Sequence, residues 1–376
     1  MTYRKITDIN ELPTLHRLHE LDLSGLDLRG HGAMFTGPFG WAPAIYDKGV
    51  KGWTDSVIWP DAPKMPDGFD PRRILEESKA PLLGVAGLHA RERTGRGVSI
   101  AIIDQRLYLN HPDYADRIRY YEVIGDNWGN DGRDGTDYHG SLVVGNAVGR
   151  TCGTAPGADI HYVAANNWIH DANGKITEAR TSELHNLAIR KVIDTAANNP
   201  DYNIRFLSCS WGVCDSLFAD EGLALLDEAE RAGIMVLGAD YKHTKRIGAF
   251  DARYAPRAGL DLSVPTDGKT TPYFRGGYCY ERLGGFSSAV PYLAGVFAMA
   301  LQGNQSFARQ AGWQERMMRI ARVTATATKS GAKIINPTAI VDEVARADRS
   351  TMFDKAEIPG KAPTPAPATD AEMSRS

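Results

Sequence analysis

The chain has 376 residues, 43% of them hydrophobic and 24% charged, which is enough apolar material for a full core and excludes a chain disordered throughout. A formal charge of -3 and a pI near 6.4, with no long block of one sign, exclude the usual footprint of a nucleic-acid partner. No run approaches the ~18 apolar residues of a membrane span. The start Met1-Thr2-Tyr3-Arg4-Lys5-Ile6-Thr7-Asp8 lacks the apolar centre of a secretory signal, so the expectation is a cytoplasmic protein without a membrane partner.

Residues 1–70 are rich in Gly, Pro, Asp and Trp and show no sustained periodicity, so they read as a short irregular extension packed on the main domain. Leu21-Asp22-Leu23-Ser24-Gly25 and Leu26-Asp27-Leu28-Arg29-Gly30 form a five-residue duplication, too short to stack as a solenoid. From Asp70 the texture changes. Arg72 to Glu77 and Leu82 to His89 read as short helices, and Thr94-Gly95-Arg96-Gly97 as a turn launching the strand Val98-Ser99-Ile100-Ala101-Ile102-Ile103-Asp104. A Gly/Asp/Asn-rich loop then runs over 125–137. Its carboxylates Asp126, Asp131, Asp134 and Asp137 make calcium conceivable, but their spacing does not fit an EF-hand loop, and no metal or cofactor site is assigned.

His139-Gly140-Ser141-Leu142-Val143-Val144-Gly145 opens a helix, and Asp159 to Ala164 reads as the next strand. Leu184, Leu187, Ala188 and Val192 lie on one face of a helix that ends before Asn198-Asn199-Pro200. Ile204 to Cys209 is a strand. Leu223, Leu226 and Ala229 mark a further helix, with an Asp227/Arg231 pair at i,i+4, Gly233 as its C-cap, and Ile234 to Leu237 as the following strand. Strands alternating with helices of this length predict an α/β fold, a mostly parallel sheet covered on both faces. Such sheets carry their sites beyond the strand carboxyl ends, where Asp104 and the segment after Leu237 lie. The four cysteines, Cys152, Cys209, Cys214 and Cys279, are too few and irregular for a disulfide framework or a zinc pattern, although Cys209 and Cys214 could approach across a short loop.

Gly284-Gly285-Phe286-Ser287-Ser288-Ala289-Val290-Pro291 runs into an apolar helix ending near Ala300, which puts Ser287 at a helix N-terminus. Read alone, Ser287 is as easily an N-cap as a nucleophile. Asp104, His139 and Ser287 in chain order supply the Asp, His, Ser ordering of an acyl-transfer triad. Trp313 to Thr326 then reads as an amphipathic helix and Asn336 to Val341 as the opening of a last one. Residues 349–376, with Pro359-Gly360-Lys361-Ala362-Pro363-Thr364-Pro365-Ala366-Pro367, read as a disordered Pro/Ala-rich tail.

On these motifs the chain resembles the subtilisin-like serine peptidases. That family carries Asp-Thr-Gly, His-Gly-Thr-His-Val-Ala-Gly, Gly-Val-Ala-Pro-Gly-Ala and Gly-Thr-Ser-Met-Ala-Ala-Pro in order. Here the four read Asp104-Gln105-Arg106, His139 to Gly145, Gly153-Thr154-Ala155-Pro156-Gly157-Ala158 and Gly285 to Pro291. Asn110-His111-Pro112-Asp113 matches the family's His-Pro-Asp, with His111 structural, and Asn336-Pro337 its closing helix. The resemblance implies a three-layer αβα peptidase domain over 71–348. It implies Ser287 as nucleophile, His139 as general base, Asp104 as its orienting partner, and peptide or protein as substrate. Ser210-Trp211-Gly212 stands at the family's Ser-Leu-Gly-Gly, where an extended substrate pairs as an added strand.

The main departure is at the oxyanion hole. The family's Ala-Gly-Asn becomes Gly238-Ala239-Asp240, a carboxylate where a donor is expected, leaving the Ser287 N–H with Lys242 or His243 as candidate substitutes. The expected function is a serine endopeptidase. A catalytically weak peptide-binding protein on the same fold is the alternative, and so is an ester hydrolase, although Gly285-Phe286-Ser287-Ser288-Ala289 lacks the second glycine of Gly-x-Ser-x-Gly. The extension remains open to a second reading, as a propeptide.

Overall fold

A computed structural model describes residues 4–5, 18–26, 52–54, 58–125, 138–165, 178–212, 220–239, 241–244, 247–251, 262–273, 276–281, 285–329 and 331–356. The chain begins with β1 (Arg4–Lys5), β2 (Leu21–Asp22) and β3 (Gly52–Thr54), followed by α1 (Pro71–Glu77) and α2 (Val85–Ala90). The alternating part comprises β4 (Ser99–Asp104), β5 (Ile118–Ile124), α3 (Tyr138–Val148), β6 (Asp159–Ala165), α4 (Glu178–Asn198), β7 (Ile204–Gly212), α5 (Asp220–Arg231) and β8 (Met235–Ala239). Then come β9 (Ile247–Asp251), β10 (Leu262–Asp267), β11 (Lys269–Pro272), β12 (Tyr278–Glu281), α6 (Gly285–Leu301), α7 (Trp313–Val323), β13 (Thr326–Ala327), β14 (Lys333–Ile334) and α8 (Pro337–Ala356).

The central sheet has the order β5-β6-β4-β7-β8 with every pairing parallel. Strands buried on both faces need apolar side chains on both, and β4 is buried from Ser99 to Asp104. On one face Ile100 and Ile102 pack with Leu142, Val143 and Val144 of α3, with α6, and with Met317 and Val344 of α7 and α8. On the other, Ala101, Ile103 and Val163 pack with Ala188, Ile189 and Val192 of α4 and with Leu226 and Ala229 of α5. The result is the three-layer α/β architecture expected.

Helix α6 is the centre of the first face, buried continuously from Ser288 to Leu301. Burial of a residue such as Leu293 or Phe297 contributes roughly 1.5–3 kcal/mol, so this helix anchors the layer. Its approach to α3 is close because Gly295 has no side chain: a Cβ there would overlap Thr154 Oγ1 and come to 3.0 Å from the Ala147 carbonyl. The N-terminal extension is tied down by β3, which pairs antiparallel with β12 at Thr54 with Cys279 and Trp53 with Tyr280. A satellite cluster of Leu18, Leu21, Leu23, Leu26, Phe69, Leu75 and Tyr280 covers the same region.

Several expectations shift. Leu187 is 49% exposed because the buried stripe of α4 runs through His185, Ala188, Ile189 and Val192 instead. The helix at Trp313 ends at Val323, where Thr324 Oγ1 bonds the Ile320 carbonyl, and Thr326 and Ala327 pair with β14. Helix α8 continues to Ala356, past the boundary set at 349, since no proline interrupts it before Pro359. Residues 27–30 of the duplication, the 126–137 loop, Cys214 and residues 357–376 lie outside the described residues. Among the described residues no helix is long and apolar enough to cross a membrane.

Candidate active site

The carboxyl end of β4 delivers Asp104, which is fully buried. Its Oδ1 accepts the Gln105 N–H at 2.8 Å and stands 2.7 Å from Nδ1 of His139 in the first turn of α3. Among the described residues its Oδ2 has no hydrogen-bond partner. A carboxylate at Nδ1 fixes the tautomer with the proton on that nitrogen, leaving Nε2 with its lone pair, and stabilises the ring once it is charged. The side chain of His139 is 14% exposed, so the ring is held at the edge of the core and still reaches the surface.

Ser287 is the third residue of α6, where a backbone N–H has no carbonyl within the helix to bond. Pro291, four residues on, cannot donate to the Ser287 carbonyl, and the hydroxyl of Ser210 takes that place at 3.0 Å. In return Ser287 Oγ donates to the Ser210 carbonyl at 3.3 Å, its acceptor among the described residues. The carboxyl end of β7 is thus stitched to the amino end of α6 through two serines. Asp104, His139 and Ser287 all belong to elements meeting at this edge of the sheet.

The neighbouring Trp211 faces the opposite side. Its Nε1 donates to the Ile103 carbonyl at 3.1 Å, and its ring stacks on His185 of α4 with centroids 4.2 Å apart. This bonding ties β7 to β4 beside Asp104 and gives Trp211 a structural task on the α4 face. Gly212 closes β7, paired with Ala239 of β8.

The substitute oxyanion donors need correction. Lys242 Nζ is 2.5 Å from Asp227 of α5, and the buried His243 Nε2 is 3.0 Å from Glu230 of the same helix. Glu230 also accepts the N–H of Val236, near the start of β8, so His243 is drawn back along the strand and away from its carboxyl end. Both side chains are committed to α5 carboxylates. Asp227 is likewise committed to Lys242 and to the Tyr241 hydroxyl at 2.8 Å, in place of the Arg231 partner expected for it. Asp240 lies outside the described residues. Among the oxyanion candidates the described structure leaves the Ser287 N–H.

Four further residues lie around the site that the motifs do not single out as site residues. His185 is buried against Trp211, and desolvation pushes its imidazole down to about 4, opposed by the Asp104 charge. Asn146, Ser288 and Lys269 form a buried polar chain behind α3 and α6. Asn146 and Ser288 sit inside segments the motifs already mark. Lys269 comes after Asp267-Gly268, which advertises only a turn.

Comparison with known proteins agrees with this fold. Residues 95–240 match Peptidase_S8, the subtilase family. It is 26% identical over 258 residues to the subtilisin-like protease PopC of Myxococcus xanthus (strain DK1622), covering 57% of this chain and 54% of PopC. It is 28% identical over 246 residues to M-protease of Shouchella clausii (strain KSM-K16), covering 58% of each. The chain thus spans little more than half the length of these two relatives. The solved structure of the prenylagaramide maturation protease PagA superposes with a TM-score of 0.50 at 17% identity, over 70% of this chain and 99% of PagA, a likeness of fold.

Proposed function

We propose that the chain is a serine endopeptidase that cleaves peptide bonds through an acyl-enzyme on Ser287. The observation that carries the reading is the 2.7 Å contact of His139 Nδ1 with the buried Asp104 carboxylate, at the edge where α6 presents Ser287. In the reaction His139 Nε2 takes the Ser287 proton as Oγ bonds the carbonyl carbon of the substrate. The same proton then passes to the departing amine, and water hydrolyses the ester by the reverse steps. The Ser287 N–H, at the positive end of α6, faces the developing oxyanion. An extended peptide lies beside Ser210-Trp211-Gly212 as an added strand, its N–H claiming the Ser210 carbonyl and releasing the Ser287 hydroxyl toward His139.

A second reading, a catalytically weak peptide-binding protein on the same fold, is favoured by Asp240 standing where the family has asparagine. A fluorophosphonate probe separates the two. Labelling that disappears in Ser287→Ala supports the peptidase, whereas a folded protein that is never labelled and still retains peptides supports the binder.

A further inference from the structure

Lys269, the first residue of β11, is 1% exposed, and among the described residues no carboxylate lies within ion-pair distance of it. Its Nζ donates to Asn146 Oδ1 at 3.2 Å and to the Cys152 carbonyl at 3.3 Å, and sits 5.7 Å from the centre of the Tyr292 ring. Burying an ammonium costs several kcal/mol after relaxation. The carbonyl end of α3, where Asn146 lies, and the ring face of Tyr292 offset part of it.

The cation decides how the Asn146 amide is turned. With Oδ1 taken by the ammonium, Nδ2 faces the other way and donates to the Leu142 carbonyl at 3.0 Å and to Ser288 Oγ at 3.3 Å. A flipped amide would set Oδ1 against the Leu142 carbonyl and its own N–H groups against the ammonium. Asn146 shares α3 with His139, and Ser288 is next to Ser287 on α6. We propose that Lys269 is a positioning residue: by orienting the Asn146 amide it locks the helix carrying His139 against the helix carrying Ser287. The inference rests on the peptidase reading above.

The groups facing the ammonium are the Asn146 amide from α3, Cys152 from the turn after it and the Tyr292 ring from α6, with Asp113 and Lys79 beyond Cys152. Desolvation pushes Lys269 down to about 8, and the thiol of Cys152, itself pushed up to about 12 by burial, opposes this. The charge that orients the amide is therefore present below pH 8 and lost above it, which gives kcat an alkaline limb.

The test compares wild type, Lys269→Met and Ser288→Ala in casein cleavage, fluorophosphonate labelling and thermal melting. Lys269→Met removes the desolvation cost of the buried ammonium, which offsets the donor lost to Asn146 Oδ1 and the Cys152 carbonyl. Lys269→Met is expected to melt no lower than wild type while kcat falls by about tenfold to a hundredfold with KM nearly constant, the scale of a small misplacement of reacting groups. Its alkaline limb near pH 8 disappears, and adding Ser288→Ala to it costs less than Ser288→Ala costs alone. An unchanged kcat in Lys269→Met, or a fall matched by the loss of folded protein, overturns the inference. Should that variant not fold, the wild-type profile decides, and the absence of a limb near pH 8 overturns it. A folded wild type that neither cleaves casein nor reacts with the probe overturns the peptidase reading, and the positioning role falls with it.

Discussion

The two faces of the central sheet hold their histidines in opposite states. On the α3 face His139 has a carboxylate at 2.7 Å and an edge open to solvent, the setting that the proposed peptidase needs for its general base. On the α4 face His185 stacks on Trp211, and His161 lies between Tyr120 and Tyr202, with ring centroids 6.4 and 4.6 Å away. Burial pushes both of these rings down to about 4. On the proposed reading the same side chain serves as a base at the solvent edge beside a carboxylate and as a core aromatic where burial outweighs the nearby charge.

The largest effects fall on the first face. His139→Ala is expected to lower kcat about 10⁶-fold, the scale for losing one member of such a triad. Asp104→Asn lowers it about 10⁴-fold by favouring the wrong tautomer. His161→Phe, across the sheet, leaves kcat as it is. Steady-state rates on one peptide substrate check all three, and a large loss in His161→Phe would erase the contrast between the faces.

Next in size is a dependence of stability on pH that belongs to the second face. The folded protein keeps His161 and His185 neutral down to about 4, whereas the unfolded chain takes up protons near 6.5. Their contribution to stability is whole above pH 6.5 and is lost as pH falls from 6.5 to 4. Melting temperatures should drop across that window, and His161→Phe should flatten the drop; a wild-type curve level from pH 7 to 4 would refute the assignment.

The smallest contrast compares two glycines. Gly233 closes α5 at φ +82°, and a Cβ there would meet Arg205 Nη1 at 3.7 Å, an ordinary contact, so Gly233→Ala should cost about 1–2 kcal/mol from backbone conformation alone. Gly295→Ala, with Thr154 in the way, should cost at least as much and disturb α3 as well. Denaturant titration of both variants orders them.

The candidate triad was legible because each member sits in a short motif whose backbone needs are strict, a strand end, a first helical turn and a Gly-Gly helix start. The α/β layers came from strand and helix periods. The stretch 247–281 is not legible in the sequence: its strands are short, Pro265 and Pro272 fall inside them, Gly268 separates β10 from β11, and β10 and β12 also pair with β14 and β3, far off in the chain. Lys242 and His243 are close to a strand end in sequence but not to the site in space. The chain turns back there, with Thr244 bonded to Gly238 and Arg322 of α7 holding the His243 carbonyl at 2.9 Å. Lys269 was invisible because lysine reads as a surface residue until its neighbours are known.

The pairing of β3 with β12 also sets an order of events during synthesis. Residues 52–54 leave the ribosome long before their partners at 279–281 exist. At about 5–20 residues per second the wait is on the order of ten seconds or more. Throughout that interval Gly52–Thr54 has no β12 to pair with, and Leu18, Leu21, Leu23 and Leu26 lack Tyr280, with which they cluster in the finished fold. They depend on chaperones or on transient contacts, and slowing translation between the two segments should increase aggregation of the nascent chain even though the finished protein is unchanged.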